Sequence, residues 1–116
     1  MKDDELLDNE HIESLKSLSD ADGPDIFQEL LDIYKEQAPT VLMNLEKAIQ
    51  AKDGKAIASE SHKFKGSSGN MGAIGLFKCC DELEHLGINN KIEGALELLQ
   101  RIQNAYPVVL KKLQNS

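Results

Sequence analysis

The most informative segment is residues 61–69, with the sequence SHKFKGSSG. Its composition is that of a helix interior, yet it contains two glycines, Gly66 and Gly69. A glycine inside a helix costs about 1 kcal/mol relative to alanine, because it loses more backbone freedom on folding. Both glycines fall on the side of the helix that carries His62, so we expect them to serve that side chain.

Apolar residues recur at helical spacing along the chain, and no useful stretch alternates with the period of two typical of strands. Gly, Pro and Asp residues divide the pattern into segments, and Asp53 is a good N-cap for the third segment. The predicted fold is all-α, an antiparallel up-down four-helix bundle over about residues 24–115 with a short additional N-terminal helix. The approximate bounds of the five segments are 10–18, 26–49, 54–69, 73–87 and 92–114.

Turn-forming residues and prolines predict where the helices begin, bend or end. Residues 20–23 should break the first helix, and Pro24 suits the first turn of the second. Pro39 and Pro107 interrupt two apolar stripes, so each should either bend its helix or divide it. The stripe of the last segment predicts burial of Leu96 together with Leu99, Ile102, Tyr106, Val109 and Leu113.

Length and charge exclude several classes of protein. A chain of 116 residues is one ordinary domain, 1–116, and we expect residues 1–9 to be poorly ordered. The net charge of −7 argues against a general nucleic-acid binder and against attraction to anionic lipid. No apolar run approaches the roughly 20 residues that span a bilayer, and the acidic N-terminus lacks a signal-peptide core. The expected location is the cytoplasm, as a free-standing protein or as a domain of a hybrid kinase.

The cysteines and histidines predict neither a disulfide nor a metal site. Cys79 and Cys80 are adjacent, and neighbours on a helix point about 100° apart, so we expect one buried thiol and one half-exposed thiol. A metal site would draw on these cysteines with His11, His62 and His85. The chain contains no H-x-x-x-H or C-x-x-C, and it lacks the two E-x-x-H motifs that a di-iron site needs, so no metal is expected.

The third segment carries the residues suited to chemistry. Its inner row is Ile57, Ser61, Phe64 and Ser68, and His62 is rotated about 100° from Ser61, so it need not point inward. Lys65 can stand beside His62, while Gly66 leaves a gap through which another protein's backbone can approach. An imidazole with a free nitrogen is a nucleophile near neutral pH, and an ammonium can neutralise phosphoryl oxygens. The segment therefore predicts phosphoryl transfer to and from His62 with a protein partner.

The charge of this region fits that prediction. Residues 55–78 contain four lysines and one glutamate, in a chain that is acidic as a whole. A basic patch suits an acidic pocket on a partner. A solvated helix face with a chance excess of lysine is the alternative interpretation.

These residues carry a resemblance to a known family. The run HKFKGSS at residues 62–68, the turn NMGA at 70–73 and the pair Leu83 and Glu84 match the pattern H-x-x-K-G-(S/A)-(S/A), x-x-(L/M)-G-A and L-E. The sequence thus resembles the histidine-containing phosphotransfer (HPt) domain of bacterial two-component phosphorelays. The resemblance covers nearly the whole chain, and it implies a four-helix bundle with an exposed phosphoacceptor histidine.

The resemblance also implies a role for individual residues. His62 would accept the phosphoryl group, Lys65 would stabilise it, and Glu84 would orient the imidazole by holding its other ring nitrogen. Gly66 would admit the partner. The implied partner-docking residues are Ser59, Lys63, Gly66, Gly69 and Lys78.

The implied activity is that of a phosphotransfer intermediate. It would take the group from a receiver-domain aspartyl phosphate and pass it to another response-regulator receiver, and a (hybrid) sensor histidine kinase would stand upstream. The chain would need no cofactor of its own, with Mg²⁺ in the partner receiver, and it would act as a monomer. It has no Gly-rich nucleotide loop, so an autonomous ATP-dependent kinase is not expected.

Two alternatives remain open at the level of sequence. The bundle could be a non-catalytic adaptor that binds a receiver or kinase without transferring phosphate, although His62, Lys65 and Gly66 are all present. It could also be a helical bundle with no phosphorelay role, in which Gly66 is only a helix C-cap. The sequence names neither the partner kinase and receivers nor the direction of net phosphate flow.

Overall fold

The computed structural model describes residues 6–18 and 25–116, which form helices and short turns without any strand. The predicted all-α bundle is confirmed. The predictions for residues 1–5 and for the segment from Asp20 to Pro24 lie outside the described residues. The helices are α1 (Asn9–Ser17), α2 (Ile26–Gln50), α3 (Gly54–Asn70), α4 (Ile74–Ile88) and α5 (Ala95–Gln114).

Aspartate side chains begin three of the five helices. The carboxylates of Asp8, Asp25 and Asp53 accept hydrogen bonds from the backbone N–H groups of His11, Gln28 and Ala56, respectively. Each cap satisfies one of the backbone donors that the first turn of a helix leaves without a partner. The predicted capping role of Asp53 is therefore confirmed, and α3 begins at the residue that follows it.

Helices α2 to α5 form an up-down-up-down bundle with an elongated shape, 48 × 26 × 20 Å. Each helix packs against the next, and α5 returns to pack against α2. The α3–α4 pair shows the antiparallel arrangement directly. Gly54 at the start of α3 lies against Gly87 at the end of α4, and Gly69 near the end of α3 lies against Phe77 near the start of α4.

Neither internal proline divides its helix. Pro39 lies inside α2 and Pro107 inside α5, and both helices run continuously through them. Both prolines are exposed, whereas the neighbouring Ala38 is buried. Because the rings face solvent, the loss of one backbone hydrogen bond at each proline leaves the packed side of the helix intact.

Two expectations about burial are wrong. Leu96 is 54% exposed, because α5 begins at Ala95 rather than at residue 92 and Ala95 occupies the inward position of its first turn. Cys79 is buried like Cys80, so neither thiol is half-exposed. Helix α4 packs against both α3 and α5, which covers two adjacent faces of the helix.

Helix α1 covers the end of the bundle at which α3 turns into α4. The Asp8 backbone N–H donates to the Gly72 carbonyl at 2.7 Å, and the His11 Nε2–H donates to the Asn70 carbonyl at 2.8 Å. Gly72 adopts a positive φ of 74°, which glycine tolerates without strain. Leu6 and Ile12 are buried and belong to the core of the bundle.

Candidate functional site

Helix α3 presents His62 to solvent, because its neighbours on the inner row are buried. Ile57, Ser61, Phe64 and Ser68 are each at most 1% exposed. The side chain of His62 is 69% exposed. The predicted inner row and the predicted outward direction of His62 are both confirmed.

A carboxylate on the adjacent helix holds the imidazole. The Nδ1 of His62 lies 2.9 Å from the Oε2 of Glu84 on α4. An ionised carboxylate can only accept a hydrogen bond, so Nδ1 carries the proton. In the neutral ring the lone pair is then on Nε2, which has no hydrogen-bond partner among residues 6–18 and 25–116.

Lys65 lies between two carboxylates of α4. Its Nζ is 2.6 Å from the Oε1 of Glu84 and 3.3 Å from the Oδ1 of Asp81. The close ionic contact with Glu84 is the main reason that the pKa of Lys65 is raised, and the hydrogen bond to Asp81 adds to it. The ammonium also lies 5.9 Å from the centre of the Phe77 ring.

Glu84 therefore joins the histidine to the lysine, with one carboxylate oxygen for each. Its side chain is 14% exposed. The ionic contact with Lys65 is the largest cause of the lowered pKa of Glu84, and the hydrogen bond from His62 acts in the same direction against burial. The carboxylate stays ionised near neutral pH, which is the state that the arrangement requires. The distance to His62 matches the orienting position that the sequence predicted for Glu84.

The two glycines of the opening segment differ in their surroundings. A Cβ added at Gly66 would meet nothing within 4 Å, so this position is an open gap beside His62 within α3. A Cβ at Gly69 would lie 3.1 Å from a ring carbon of Phe77, so this glycine accommodates the packing of α4. Gly66 lies inside the helix and not at its end, which excludes the interpretation as a C-cap.

The remaining predicted docking residues, Ser59, Lys63 and Lys78, are exposed. Ser59 and Lys63 lie on α3 close to His62, and Lys63 pairs with Glu60 at 3.2 Å. Lys78 lies on α4, one turn before Asp81. Residues 55–78 carry an excess of positive charge in the sequence. In the fold, Asp81 and Glu84 of α4 lie against Lys65 and offset part of that charge.

Sequence reasoning missed Asp81. The residue contacts Lys65, and its backbone carbonyl accepts a hydrogen bond from the Nδ1 of His85 at 2.7 Å. Asp81 precedes Glu84 by three residues, and residues three apart share one face of a helix. This spacing could have predicted that Asp81 lies on the same side of α4 as Glu84.

The histidines and cysteines do not come together as metal ligands. No group of three or more His, Cys, Asp or Glu side chains in the described part of the chain could hold a metal ion. None of the described helices is both long enough and apolar enough to cross a bilayer.

The arrangement is suited to nucleophilic chemistry on a group that a protein presents. Nε2 offers a lone pair to solvent, and Glu84 stabilises the positive charge that the ring gains when Nε2 forms a bond. Lys65 supplies an ammonium next to the ring, and Gly66 leaves the approach open.

Comparison with known proteins places this site in a family. Residues 29–113 match the family model described as the Hpt domain. The multistep phosphorelay regulator 1 of Schizosaccharomyces pombe is 31% identical over 98 residues, which cover 84% of this chain and 33% of that protein. The chain thus spans about a third of the length of that relative. The histidine-containing phosphotransfer protein 2 of Arabidopsis thaliana is 28% identical over 113 residues, covering 95% of this chain and 72% of that protein.

Solved structures agree with the architecture. The histidine-containing phosphotransfer protein B (HptB) of Pseudomonas aeruginosa superposes with a TM-score of 0.86 at 29% identity, covering 95% of this chain and 92% of that chain. The histidine-containing phosphotransfer domain of ArcB from Escherichia coli superposes with a TM-score of 0.84 at 22% identity, covering 99% of this chain and 95% of that chain. At that identity the second likeness concerns the fold alone.

Proposed function

The chain belongs to the Hpt domain family of histidine-containing phosphotransfer proteins, the intermediates of phosphorelays, and on this premise we propose that His62 is its phosphoacceptor. His62 accepts a phosphoryl group from the aspartyl phosphate of a receiver domain and passes it to the receiver of another response regulator. The observation that carries this proposal is the ring of His62, which is exposed at Nε2 and held at Nδ1 by the carboxylate of Glu84.

The transfer is a displacement at phosphorus. The Nε2 lone pair forms the P–N bond while the bond from phosphorus to the aspartyl oxygen breaks, and its electron pair leaves with the aspartate carboxylate. Nδ1 keeps its proton throughout, so the phosphorylated ring carries a positive charge that lies 2.9 Å from the Glu84 carboxylate. The reverse sequence, with a second aspartate as nucleophile, returns the ring to its starting state.

Positioning and neutralisation of charge make up the rest of the proposed mechanism. Lys65 is near enough on α3 to turn toward phosphoryl oxygens on Nε2, since it follows His62 by three residues. The chain needs no cofactor of its own in this scheme, and we expect Mg²⁺ in the receiver to neutralise the phosphoryl group there. A receiver docks on the face around Ser59, Lys63, Gly66, Gly69 and Lys78.

A groove beside this face offers additional contact area to a receiver. It lies between α2 and α3, has a volume of about 700 Å³, and is lined in part by Ile33, Gln37, Thr40 and Lys63. Ile33 is 50% exposed. A monomer in the cytoplasm, with a sensor kinase upstream, fits a protein whose histidine face must stay open to successive partners.

The test is phosphate transfer from a panel of receiver domains loaded by acetyl phosphate, with mapping of the modified residue. We expect phosphate on His62 that is labile in acid and stable in base. His62→Gln should abolish acceptance with helix content unchanged by circular dichroism, since the side chain is mostly exposed. Transfer that survives this substitution would contradict the assignment. A folded wild-type protein that binds receivers but accepts no phosphate from any of them would be the non-catalytic adaptor.

A further inference from the structure

We propose that Asp81 is a positioning residue, which holds Lys65 beside Glu84 and competes with the phosphoryl group of His62 for the Lys65 ammonium. The inference rests on the proposed function of His62. It adds a residue that sets how readily the phosphoryl group is retained, and hence how readily it is passed on.

Lys65 is surrounded by negative charge. Two carboxylates of α4, three residues apart, flank one ammonium at 2.6 Å and 3.3 Å. The Lys65 side chain is 21% exposed, and its ammonium contacts both carboxylates. Before phosphorylation the positive charge of Lys65 is therefore already matched by more than one negative charge.

Glu84 uses one oxygen for the Nδ1–H of His62 and the other for Lys65, so the ammonium lies on the Nδ1 side of the ring. A phosphoryl group on Nε2 would stand on the other side of the ring. Lys65 must therefore turn away from at least one carboxylate before its ammonium can contact phosphoryl oxygens.

Of the two contacts, that of Asp81 is the one to be given up. It is the longer of the two, and the Asp81 side chain is 43% exposed, against 14% for Glu84. Water can replace the lysine at Asp81, whereas Glu84 also has to keep the ring in place. Removal of the Asp81 carboxylate should leave Lys65 easier to recruit and should favour the phosphorylated state.

The substitution Asp81→Asn should change the structure around residue 81 very little. The backbone carbonyl of Asp81, rather than its carboxylate, accepts the 2.7 Å hydrogen bond from His85, and the carboxylate lies 3.7 Å from the same nitrogen. Asp81→Asn therefore keeps the shape of the side chain and the His85–carbonyl bond, while it removes the charge that faces Lys65.

The experiment measures the equilibrium of phosphoryl exchange between a phosphorylated receiver and this protein. We expect Asp81→Asn to raise the ratio of phosphorylated to free His62 by about two- to fivefold, the range for a partly exposed ion pair. The matched control is Glu82→Gln, which removes the same charge from the adjacent, exposed position of α4. We expect a change of less than about 1.5-fold for this control, since exposed charges are screened. An equal shift in both variants, no shift, or a decrease with Asp81→Asn would overturn the proposal.

A double-mutant cycle separates an action through Lys65 from a general effect of charge. In a Lys65→Ala background, Asp81→Asn should no longer change the equilibrium, because the group for which Asp81 competes is absent. A shift that persists in this background contradicts the proposal. Wild-type protein that takes no phosphate on His62 would overturn the proposed function itself, whereas phosphorylated wild type with an inert Asp81→Asn would overturn this inference alone.

Discussion

At the scale of single residues, Glu84 contacts both His62 and Lys65, the two side chains of α3 to which the proposed function assigns roles. One oxygen fixes the tautomer of His62, and the other holds Lys65. The ring becomes cationic when Nε2 is phosphorylated, so an anion at Nδ1 stabilises the product of the first step. In the proposed transfer, the same carboxylate orients the nucleophile and balances its charge.

Substitutions at Glu84 should separate orientation from charge. Glu84→Gln keeps an oxygen that can accept the Nδ1–H bond, and we expect it to lose less than about tenfold in the rate of transfer. Glu84→Leu removes the acceptor, and we expect a loss of about ten- to hundredfold. Single-turnover transfer from a phosphorylated receiver measures both rates. Equal rates for Glu84→Leu and wild type would show that the ring needs no partner at Nδ1.

The lowered pKa of Glu84 also predicts how stability depends on pH. Unfolded glutamate titrates near a pKa of about 4.3, and contact with Lys65, followed by His62, moves the folded value below this. The contribution of Glu84 to stability is therefore complete above the unfolded pKa and is lost as the pH falls through the folded pKa.

Urea unfolding of wild type and Glu84→Gln at about pH 6 and about pH 3 tests this dependence. We expect the wild type to be the more stable protein at the higher pH, and the difference in unfolding free energy to shrink at the lower pH. A difference that is independent of pH would mean that the Glu84 ion pairs do not contribute to the folded state.

At the scale of elements, the α3–α4 hairpin brings the site together, and its glycines serve two different purposes. Gly54 and Gly87 let the two backbones touch at one end, where an added Cβ at Gly87 would lie 2.6 Å from the Gly54 carbonyl oxygen. This close approach is part of the α3–α4 packing in which Glu84 lies opposite His62. Gly66, by contrast, touches nothing and keeps the surface of α3 open.

Gly66→Gln should therefore leave the fold intact and obstruct the partner. Glutamine is the better helix former by about 0.5–1 kcal/mol, and no atom opposes its Cβ, so the free energy of unfolding should stay equal or rise. Transfer from a phosphorylated receiver should slow, because the longer side chain occupies the gap beside His62. Urea unfolding and transfer kinetics on the same sample give both results.

Gly87→Ala is the matched control within the same hairpin. Its Cβ would collide with backbone atoms of Gly54 and Ala58, so we expect a loss of about 1–3 kcal/mol of stability. If Gly66→Gln were the variant that melted, Gly66 would be a structural residue and the open gap would have no role in docking.

At the scale of the whole molecule, an aromatic cluster behind the histidine ties three helices together. Tyr34 of α2, Phe64 of α3 and Tyr106 of α5 have ring centroids 5.4 to 6.0 Å apart. The hydroxyl of Tyr34 shares a buried hydrogen bond of 2.8 Å with Ser68, and burial raises the pKa of Tyr34, so the phenol stays neutral. Ser68 is one of the two buried serines of the inner row, and this bond satisfies its hydroxyl within the core.

Removal of one partner of the Tyr34–Ser68 hydrogen bond should lower the free energy of unfolding more than removal of both partners. Tyr34→Phe leaves the Ser68 hydroxyl buried without a partner, and we expect a loss of about 1–3 kcal/mol in the free energy of unfolding. The double variant Tyr34→Phe with Ser68→Ala should lose less than the sum of the two single variants. Urea denaturation measures this coupling, and strictly additive losses would contradict it. Transfer to His62 should be unchanged, because the cluster does not touch the ring.

The sequence was sufficient to predict the helices and the outward direction of the His62 side chain. The period of 3.6 residues assigned Ile57, Ser61, Phe64 and Ser68 to the core, and the same period turned His62 outward. Asp53 marked the start of α3 through a cap that needs only local contacts. These features depend on residues within one or two turns of each other, which is why the sequence is sufficient for them.

The tertiary structure alone decided what lies opposite His62 and Lys65. The helical period predicts which face of its helix a residue occupies. It does not predict the axial position at which the adjacent helix packs against that residue. That position depends on how α3 and α4 pack along their whole length, including the close approach of Gly54 to Gly87, and it places Asp81 as well as Glu84 against Lys65. The exposure of Leu96 was missed for a related reason, since it depends on where α5 begins after its turn. Register between helices is a long-range property, and it emerges only when the whole core is packed.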